Sequence, residues 1–195
     1  MRPGDGAVVL GSGQRPGLVD ATAARRRGLT VLRRRSGGGV VLVSHTDLLW
    51  IDVLVPRGDR LWHHDVGRAF LWLGELWRTV LTGVGIAAEV YEGPYEPGPW
   101  GSLVCFAGRG PGEVFVEGRK VVGLSQRRSS AGARFQCGLL RRWEPGSLAG
   151  LLGMPPGRRG VLERDLAVCA GALEVSESRI LEALTGALDT ETLVP

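Results

Sequence analysis

Lys120 is the only lysine in a chain whose lysines and arginines together number 24. It lies in the stretch Glu113-Val-Phe-Val-Glu-Gly-Arg-Lys-Val-Val-Gly-Leu-Ser-Gln126, in which two short apolar strands flank a Glu117-Gly118 turn. This pattern is typical of a β-hairpin. Alternation along the second strand predicts that Lys120 shares a face with Val122 and Leu124. If that face belongs to the core, the ammonium is buried and needs an anionic partner such as a bound phosphate.

Three consecutive glycines, Gly37 to Gly39, form a second segment that suits an anion. Glycine lets the backbone approach a ligand closely, and successive N–H groups in such a run can form an anion-binding nest. A tight bend between two strands explains the glycines equally well. The chain contains neither a GxxxxGK[ST] nor a GxGxxG motif, so the sequence does not support a Walker-type NTPase or a dinucleotide-binding fold.

The cysteines and histidines give little support to a disulfide framework or a metal site. Cys105, Cys137 and Cys169 are odd in number and have no CxxC spacing. Cys105 could act as a nucleophile, but a lone cysteine between two apolar residues also suits a small buried hydrophobic position, and the other two cysteines suggest structural roles. His63-His64-Asp65 has no third ligand at a suitable spacing. We therefore interpret Asp65 as a helix N-cap and predict no metal site.

Apolar runs bounded by glycine, proline and polar residues predict short strands in the first two thirds of the chain. The predicted strands cover residues 7–10, 29–32, 40–43, 48–55, 86–90, 103–106, the 113–126 hairpin and 133–140. Helical spacing of apolar residues from Val66 to Leu81 predicts a helix that begins near Asp65. A Gly/Pro-rich linker over residues 145–160 precedes two predicted helices, 161–173 and 176–188. The fold class is therefore α+β, with a mixed β-sheet core and helices on one side.

Composition sets further expectations. A chain of 195 residues that is 44% hydrophobic predicts a single domain over residues 1–195, with a sheet-rich core over 1–145 and C-terminal helices over 160–190. No apolar run approaches the roughly 20 residues that span a bilayer, and Met1 to Gly6 lack a secretory signal, so we expect a cytoplasmic protein without a membrane partner. A net charge of +4 permits an acidic partner, but without a zinc-finger, RRM or KH pattern we expect no nucleic acid.

Two segments resemble motifs of one enzyme family. Arg33-Arg34-Arg35-Ser36-Gly37-Gly38-Gly39-Val40 closely resembles the RRxSGGGAV stretch of the lipoate-protein ligase A and lipoate/octanoate transferase family. Gly118-Arg-Lys-Val-Val-Gly-Leu-Ser-Gln126 resembles the lysine-bearing stretch of the same family. The opening Val8-Val-Leu-Gly11 with Gln14 is similar to a third segment, and Glu113 falls where some members carry an acidic residue. The resemblance extends over about residues 7–140, most of the chain.

The resemblance implies the class II aminoacyl-tRNA synthetase-like fold of biotin/lipoate ligase catalytic domains. It also implies an enzyme that passes a lipoyl or octanoyl group to a lysine of an acidic lipoyl domain or of the glycine-cleavage H protein. ATP or lipoyl-AMP would be the cofactor and lipoate or octanoate the acyl substrate, with Mg²⁺ as a compatible ion. Whether the acyl group is lipoyl, octanoyl or biotinyl depends on the depth of the acyl tunnel and stays open at this point.

Each family motif carries a role to particular residues. Lys120 would be the catalytic residue that binds the adenylate phosphate, and Arg34 with its neighbour Arg33 would add forked donors. Val122 and its apolar neighbours would line the acyl tunnel. The complete set of implied substrate-binding residues is Gln14, Arg33, Arg34, Ser36, Gly37, Gly38, Gly39, Val40, Glu113, Val122, Gly123, Ser125 and Gln126.

The chain also departs from the family pattern. Residues 41–49 lack the expected Asn, and Gln136-Cys137-Gly138 stands where many relatives have His-Gly. Nothing after residue 140 resembles the small accessory domain of the ligases, so adenylation would need a separate accessory subunit, or the donor would arrive already activated. Two rival interpretations stay open. One is a cysteine-dependent transferase that moves octanoyl from a carrier protein through Cys105. The other is a degenerate, non-catalytic member that binds an acyl ligand or a lipoyl domain.

Overall fold

The computed structural model describes residues 6–189, which form two β-sheets with flanking helices. The smaller sheet has the strand order β2-β1-β3, where β1 is Ala7–Leu10, β2 is Thr30–Arg33 and β3 is Val41–Val43. β1 pairs in parallel with β2 and antiparallel with β3, so this sheet is mixed. Residues 1–5, on which the absence of a signal segment was argued, lie outside the described residues.

The larger sheet is antiparallel and has the order β4-β8-β7-β6-β5. Its strands are β4 (Leu48–Pro56), β5 (Glu89–Val90), β6 (Val114–Val116), β7 (Arg119–Ser129) and β8 (Gly132–Leu140). The predicted strand over residues 86–90 therefore shrinks to its last two residues. Residues 103–106 form no strand at all, and a single bridge between Val40 and Val104 is their only ladder contact among the described residues.

Helices cover two separate cores. α2 (Leu71–Gly83) and α5 (Glu177–Asp189) pack on the larger sheet, with Leu73, Leu76 and Trp77 of α2 fully buried. α1 (Ala21–Arg26), α3 (Pro145–Ala149) and α4 (Pro156–Cys169) pack around the smaller sheet. The α+β class is confirmed, but the helices do not lie on one side of a single sheet as predicted. That the chain is one independent domain stays a prediction.

Two helix boundaries differ from the prediction for local reasons. The Asp65 carboxylate accepts a hydrogen bond from the Arg68 N–H at 2.8 Å, but the N-cap of the short turn Arg68–Phe70, which precedes α2, is Gly67. Val66 consequently lies outside the helix and is 56% exposed. α4 begins within the predicted linker because Pro156 occupies the first helical turn, where the missing N–H of proline costs nothing.

The lysine hairpin forms as predicted, with one difference that decides where Lys120 points. Val121 is an extra residue on β7 that has no partner on β6. Val121, Val122 and Leu124 all pack in the core beneath α2. Lys120 points to the opposite face, where its Nζ lies 5.8 Å from the centre of the Phe106 ring. The prediction that Lys120 shares a face with Val122 and Leu124 was wrong, because a bulge adds one residue and reverses the alternation.

Candidate active site

Lys120 is fully buried, with only 1% of its surface exposed. Its Nζ donates to Glu113 Oε2 at 2.6 Å and to the carbonyl oxygen of Cys105 at 2.9 Å. The anionic partner required by a buried ammonium is therefore supplied by the protein itself. Since an ammonium has three N–H donors, one donor remains for a ligand.

Glu113 is also buried, with 6% of its surface exposed, and it accepts further hydrogen bonds besides that from Lys120. Its Oε2 also accepts from the Gly110 N–H at 2.7 Å, and its Oε1 lies 3.4 Å from the Leu124 N–H. Burial raises the pKa of the Glu113 carboxyl, and the ammonium of Lys120 opposes that rise. The pair carries no net charge when both groups are ionised.

The triple-glycine loop reaches Lys120 through residues 103–105. Val40 donates to the carbonyl of Leu103 at 2.8 Å, and the Cys105 N–H donates to the carbonyl of Val40 at 3.0 Å. A Cβ at Gly39 would lie within about 2.6 Å of the Val104 backbone, so only glycine permits this approach. The same Cys105 then accepts from Lys120 through its carbonyl.

The buried guanidinium of Arg34 holds the loop through hydrogen bonds to its carbonyl groups. Its Nε and Nη2 donate to the carbonyl of Gly37 at 3.1 and 2.7 Å, and Nη2 also donates to the carbonyl of Gly39 at 2.9 Å. Its Nη1 lies 3.4 Å from the carbonyl of Val9. The fork of donors that the sequence analysis assigned to a phosphate is thus directed at loop carbonyls in this structure.

The paired or unpaired state of the backbone N–H groups decides whether the glycine loop can bind a ligand. Among the described residues, the N–H groups of Gly37, Gly38 and Gly39 donate to no protein acceptor. Gly38 adopts φ 93°, a left-handed conformation that glycine accepts without strain. Successive unpaired N–H groups in such a turn suit an anion.

A third cluster joins the loop to the larger sheet. Ser36 is buried, and its Oγ lies 2.5 Å from Gln136 Oε1 and 3.1 Å from Ser125 Oγ. Gln136 is therefore a hydrogen-bond partner of the loop. Nearby, Gln126 accepts from Arg128 Nε at 3.1 Å, while its own Nε2 is buried and has no partner among the described residues.

Some of these groups line one cavity of about 420 Å³, whereas Arg34, Ser36 and Gln136 are not on its wall. The predicted residues on its wall are Gly37, Gly38, Gly39, Cys105, Glu113, Lys120, Ser125 and Gln126. The remaining wall consists of Val66, Gly67, Phe70, Tyr95, Gly101, Gly110, Pro111 and Leu124, which include the largest apolar side chains at the site and which the sequence analysis missed. For those of them that lie on loops, a signal was the length of the loop, since long loops often bear function.

The other predicted residues lie around the cavity, not on its wall. Gln14 connects two segments, since its Oε1 accepts from Gly11 and its Nε2 donates to Leu103 at 2.8 Å. Arg33 is exposed, and Val40 is buried in the smaller core. Val122 packs beneath α2 and does not line the cavity; Leu124 takes that position.

Gly123 provides room for an aromatic ring beside the cavity. A Cβ at Gly123 would lie 3.2 Å from the Phe106 ring, whose centre is 5.8 Å from Lys120 Nζ. Glycine at this position therefore leaves room for the Phe106 ring next to β7.

The three cysteines are free and differ in their surroundings. Cys105 is half-buried on the cavity wall. Cys137 is fully buried, and burial raises the pKa of its thiol to about 12. Cys169 is half-buried at the end of α4, and desolvation raises the pKa of its thiol. No group of three or more histidine, cysteine or acidic side chains suited to a metal ion occurs among residues 6–189.

Comparison with known proteins agrees with this geometry. Residues 4–161 match the family model of the lipoyl protein ligase A/B catalytic domain. The fold is similar to a bi-partite lipoate protein ligase of Thermoplasma acidophilum, solved as part of a lipoylation system with its E2 lipoyl domain, with a TM-score of 0.72 and 17% identity over 94% of this chain. It is also similar to a lipoate-protein ligase A bound with ATP, with a TM-score of 0.68 and 17% identity over 94% of this chain.

A third similar structure is Plasmodium falciparum LipL1 in complex with lipoate, with a TM-score of 0.62 and 13% identity over 98% of this chain. The chain spans 66% of the Thermoplasma chain, 68% of the ATP-bound ligase chain and 48% of the LipL1 chain. No curated protein matches by sequence. No helix in the described residues is long and apolar enough to cross a membrane. Since the family model covers most of the sequence, the chain belongs to the lipoyl protein ligase A/B catalytic domain family.

Proposed function

We propose that this chain transfers a lipoyl or octanoyl group from an acyl-adenylate to a lysine of an acceptor protein. The observation that carries the proposal is the buried ammonium of Lys120 beside a triple-glycine loop whose three N–H groups are unpaired among the described residues. A mixed anhydride of a fatty acid and AMP presents a phosphate anion next to an electrophilic carbonyl. The site offers donors for both.

The polar groups of the cavity bind the phosphate and the carbonyl, and its apolar wall binds the acyl chain. The free N–H of Lys120 and the glycine N–H groups bind the phosphate and stabilise the oxyanion that develops on the carbonyl. The neutral amine of the acceptor lysine attacks the carbonyl carbon, the bond from that carbon to the phosphate oxygen breaks, and AMP leaves. The nitrogen of the new amide loses its extra proton to solvent water. The unpartnered Nε2 of Gln126 is a donor for a further oxygen or nitrogen of the ligand. Val66, Phe70 and Leu124 give the acyl chain apolar surface.

ATP and lipoate fit the same arrangement as precursors of the adenylate. Mg²⁺ would enter with the nucleotide phosphates, since residues 6–189 contain no cluster of three or more protein ligands for it. A separate accessory subunit for adenylation stays part of the proposal. The net charge of +4 favours an acidic acceptor such as a lipoyl domain or the H protein, and a cytoplasmic location remains a prediction.

A second candidate uses Cys105. This residue lines the same cavity and is half-buried, so a thiolate there could attack an octanoyl thioester of a carrier protein. The thiol of the carrier protein would leave, and the octanoyl group would then pass from the sulfur of Cys105 to the amine of the acceptor lysine, which frees the Cys105 thiol. A non-catalytic member of the family would bind the acyl ligand in the same cavity without turnover.

Intact-mass measurement on an apo lipoyl domain separates the three candidates. The chain is incubated with the domain and one of three donors: lipoyl-AMP, lipoate with ATP, or octanoyl carrier protein. Loss of acylation from lipoyl-AMP in Lys120→Met, with activity kept in Cys105→Ser, is the expected result. A thioester adduct on Cys105 and loss of activity in Cys105→Ser would support the second candidate instead. The matched control is Arg119→Met, which replaces the neighbouring exposed cation by the same residue. Binding of the donors without acylation from any of them would contradict the proposed transfer.

A further inference from the structure

The Glu113 carboxylate occupies one donor of the only lysine ammonium in the chain. It lies 2.6 Å from Lys120 Nζ and is almost completely buried. A buried pair of this kind has no net charge to attract an anion. The ammonium is therefore compensated before any ligand arrives, and a phosphate that binds Lys120 has to share it with a carboxylate.

We propose that Glu113 takes up a proton when an acyl phosphate binds, so that ligand binding is coupled to neutralisation of this carboxylate. The inference rests on the proposed function, because it requires that the ligand carry a phosphate to Lys120. Two anions that share one ammonium in a buried site repel each other, and the carboxylate relieves the repulsion by protonation.

The hydrogen bonds around Glu113 are compatible with both states. When ionised, it accepts from Lys120, from Gly110 and at longer range from Leu124. When protonated, its O–H becomes a donor that can be directed at a phosphate oxygen, while the other oxygen still accepts. Glu113 thus changes from the counter-anion of Lys120 into a second donor for the ligand.

The surroundings limit which other groups could exchange the proton. The titratable groups that face Glu113 are Lys120 on β7, Tyr95 in the 91–101 loop and Cys105 next to the triple-glycine loop. Desolvation raises the pKa of the Tyr95 hydroxyl, with Glu113 as the next cause, and burial raises the pKa of Glu113 itself. Glu113 is the acidic group nearest the ammonium that the phosphate would approach.

Calorimetric titration with lipoyl-AMP, in two buffers of different ionisation enthalpy at the same pH, counts the protons exchanged. We expect uptake that approaches one proton at pH 7.5 in the wild-type chain and uptake near zero in Glu113→Gln. The Kd of the wild type should rise by up to about tenfold per pH unit above neutrality, whereas the Kd of Glu113→Gln should stay level and lie below the wild-type value at pH 8.5. Tyr95→Phe and Cys105→Ser should keep the uptake.

The possible outcomes distinguish a failure of proton uptake by Glu113 from a failure of the proposed acyl transfer. Tight binding of lipoyl-AMP by the wild type without proton uptake would overturn the role of Glu113 and leave the acyltransferase intact. Absence of lipoyl-AMP binding in both proteins would overturn both. Uptake that persists in Glu113→Gln, or that disappears in Tyr95→Phe or Cys105→Ser, would assign the proton to another group. The wild-type measurement stands alone if Glu113→Gln fails to fold.

Discussion

Lys120→Met tests whether the hairpin ammonium is held in the protein by Glu113. The variant keeps an unbranched side chain of similar length but leaves the buried carboxylate with only the N–H groups of Gly110 and Leu124. Removal of one partner of a buried ion pair costs about 3 to 5 kcal/mol. At about 2 to 4 °C per kcal/mol for a chain of this size, the Tm should fall by roughly 6 to 20 °C.

The stability lost in Lys120→Met should depend on pH, and the Glu113 carboxyl determines whether the loss is larger at low or at high pH. The pKa of Glu113 is raised in the folded wild type, and removal of Lys120 removes the main cause that opposes the rise. A carboxyl with a raised folded pKa contributes stability below its unfolded pKa of about 4.3, and that contribution disappears as the pH rises through the folded pKa. The penalty should therefore be smaller at pH 5 than at pH 8, with a slope of up to about 1.4 kcal/mol per pH unit.

Urea denaturation at pH 5 and pH 8 measures this difference. Arg119→Met is the control, since its ion pair with Glu117 is exposed and such pairs contribute at most about 1 kcal/mol. Lys120→Met combined with Glu113→Gln should regain part of the loss and show little pH dependence, because the buried charge is gone. A loss below about 1 kcal/mol in Lys120→Met, or an equal loss at both pH values, would refute the reasoning about the pair.

Three substitutions and one chemical modification test the loop and the core. Gly39→Ala should lower the Tm and abolish acyl transfer, because the new Cβ would clash with the backbone of residues 104 and 105. Gly37→Ala is the control and should retain the wild-type Tm, because no atom lies within 4 Å of its new Cβ. Arg34→Lys loses the fork that holds two loop carbonyls and should cost about 1 to 3 kcal/mol in urea denaturation, and a cost near zero would remove its bracing role. Cys137 should resist iodoacetamide in the folded chain at pH 8, because burial raises the pKa of its thiol to about 12, and modification before unfolding would contradict its burial.

The sequence predicted local backbone geometry best at positions where only glycine, or a residue that tolerates positive φ, can fit. The Glu117-Gly118 turn has φ values of 50° and 73°, as the hairpin pattern requires. The triple glycine predicted close approach of the backbone to a ligand, and in the structure Gly39 approaches the backbone of residues 104 and 105. This contact could not be predicted from alternation or spacing, since residues 104 and 105 are separated from Gly39 by more than 60 positions in the chain.

The direction of Lys120 could not be predicted for a different reason. The extra residue on β7, Val121, reverses the face that Lys120 takes, and the run Lys120-Val121-Val122 looks the same with or without a bulge. The Gly110 N–H that binds Glu113 belongs to an irregular loop with no periodic signal. Alternation assigns faces only while the ladder is regular.

The segment 103–105 shows how the two family motifs act together. Its apolar residues predicted a strand, yet it forms only a bridge to Val40, and Gly39 is small enough to let this bridge form. The Cys105 N–H is held by the carbonyl of Val40, and the Cys105 carbonyl in turn holds Lys120 Nζ. A displacement of the glycine loop is therefore transmitted to the ammonium through a single residue, Cys105. This connection explains why Gly39→Ala should impair transfer as well as stability, even though no atom of Gly39 bonds to Lys120.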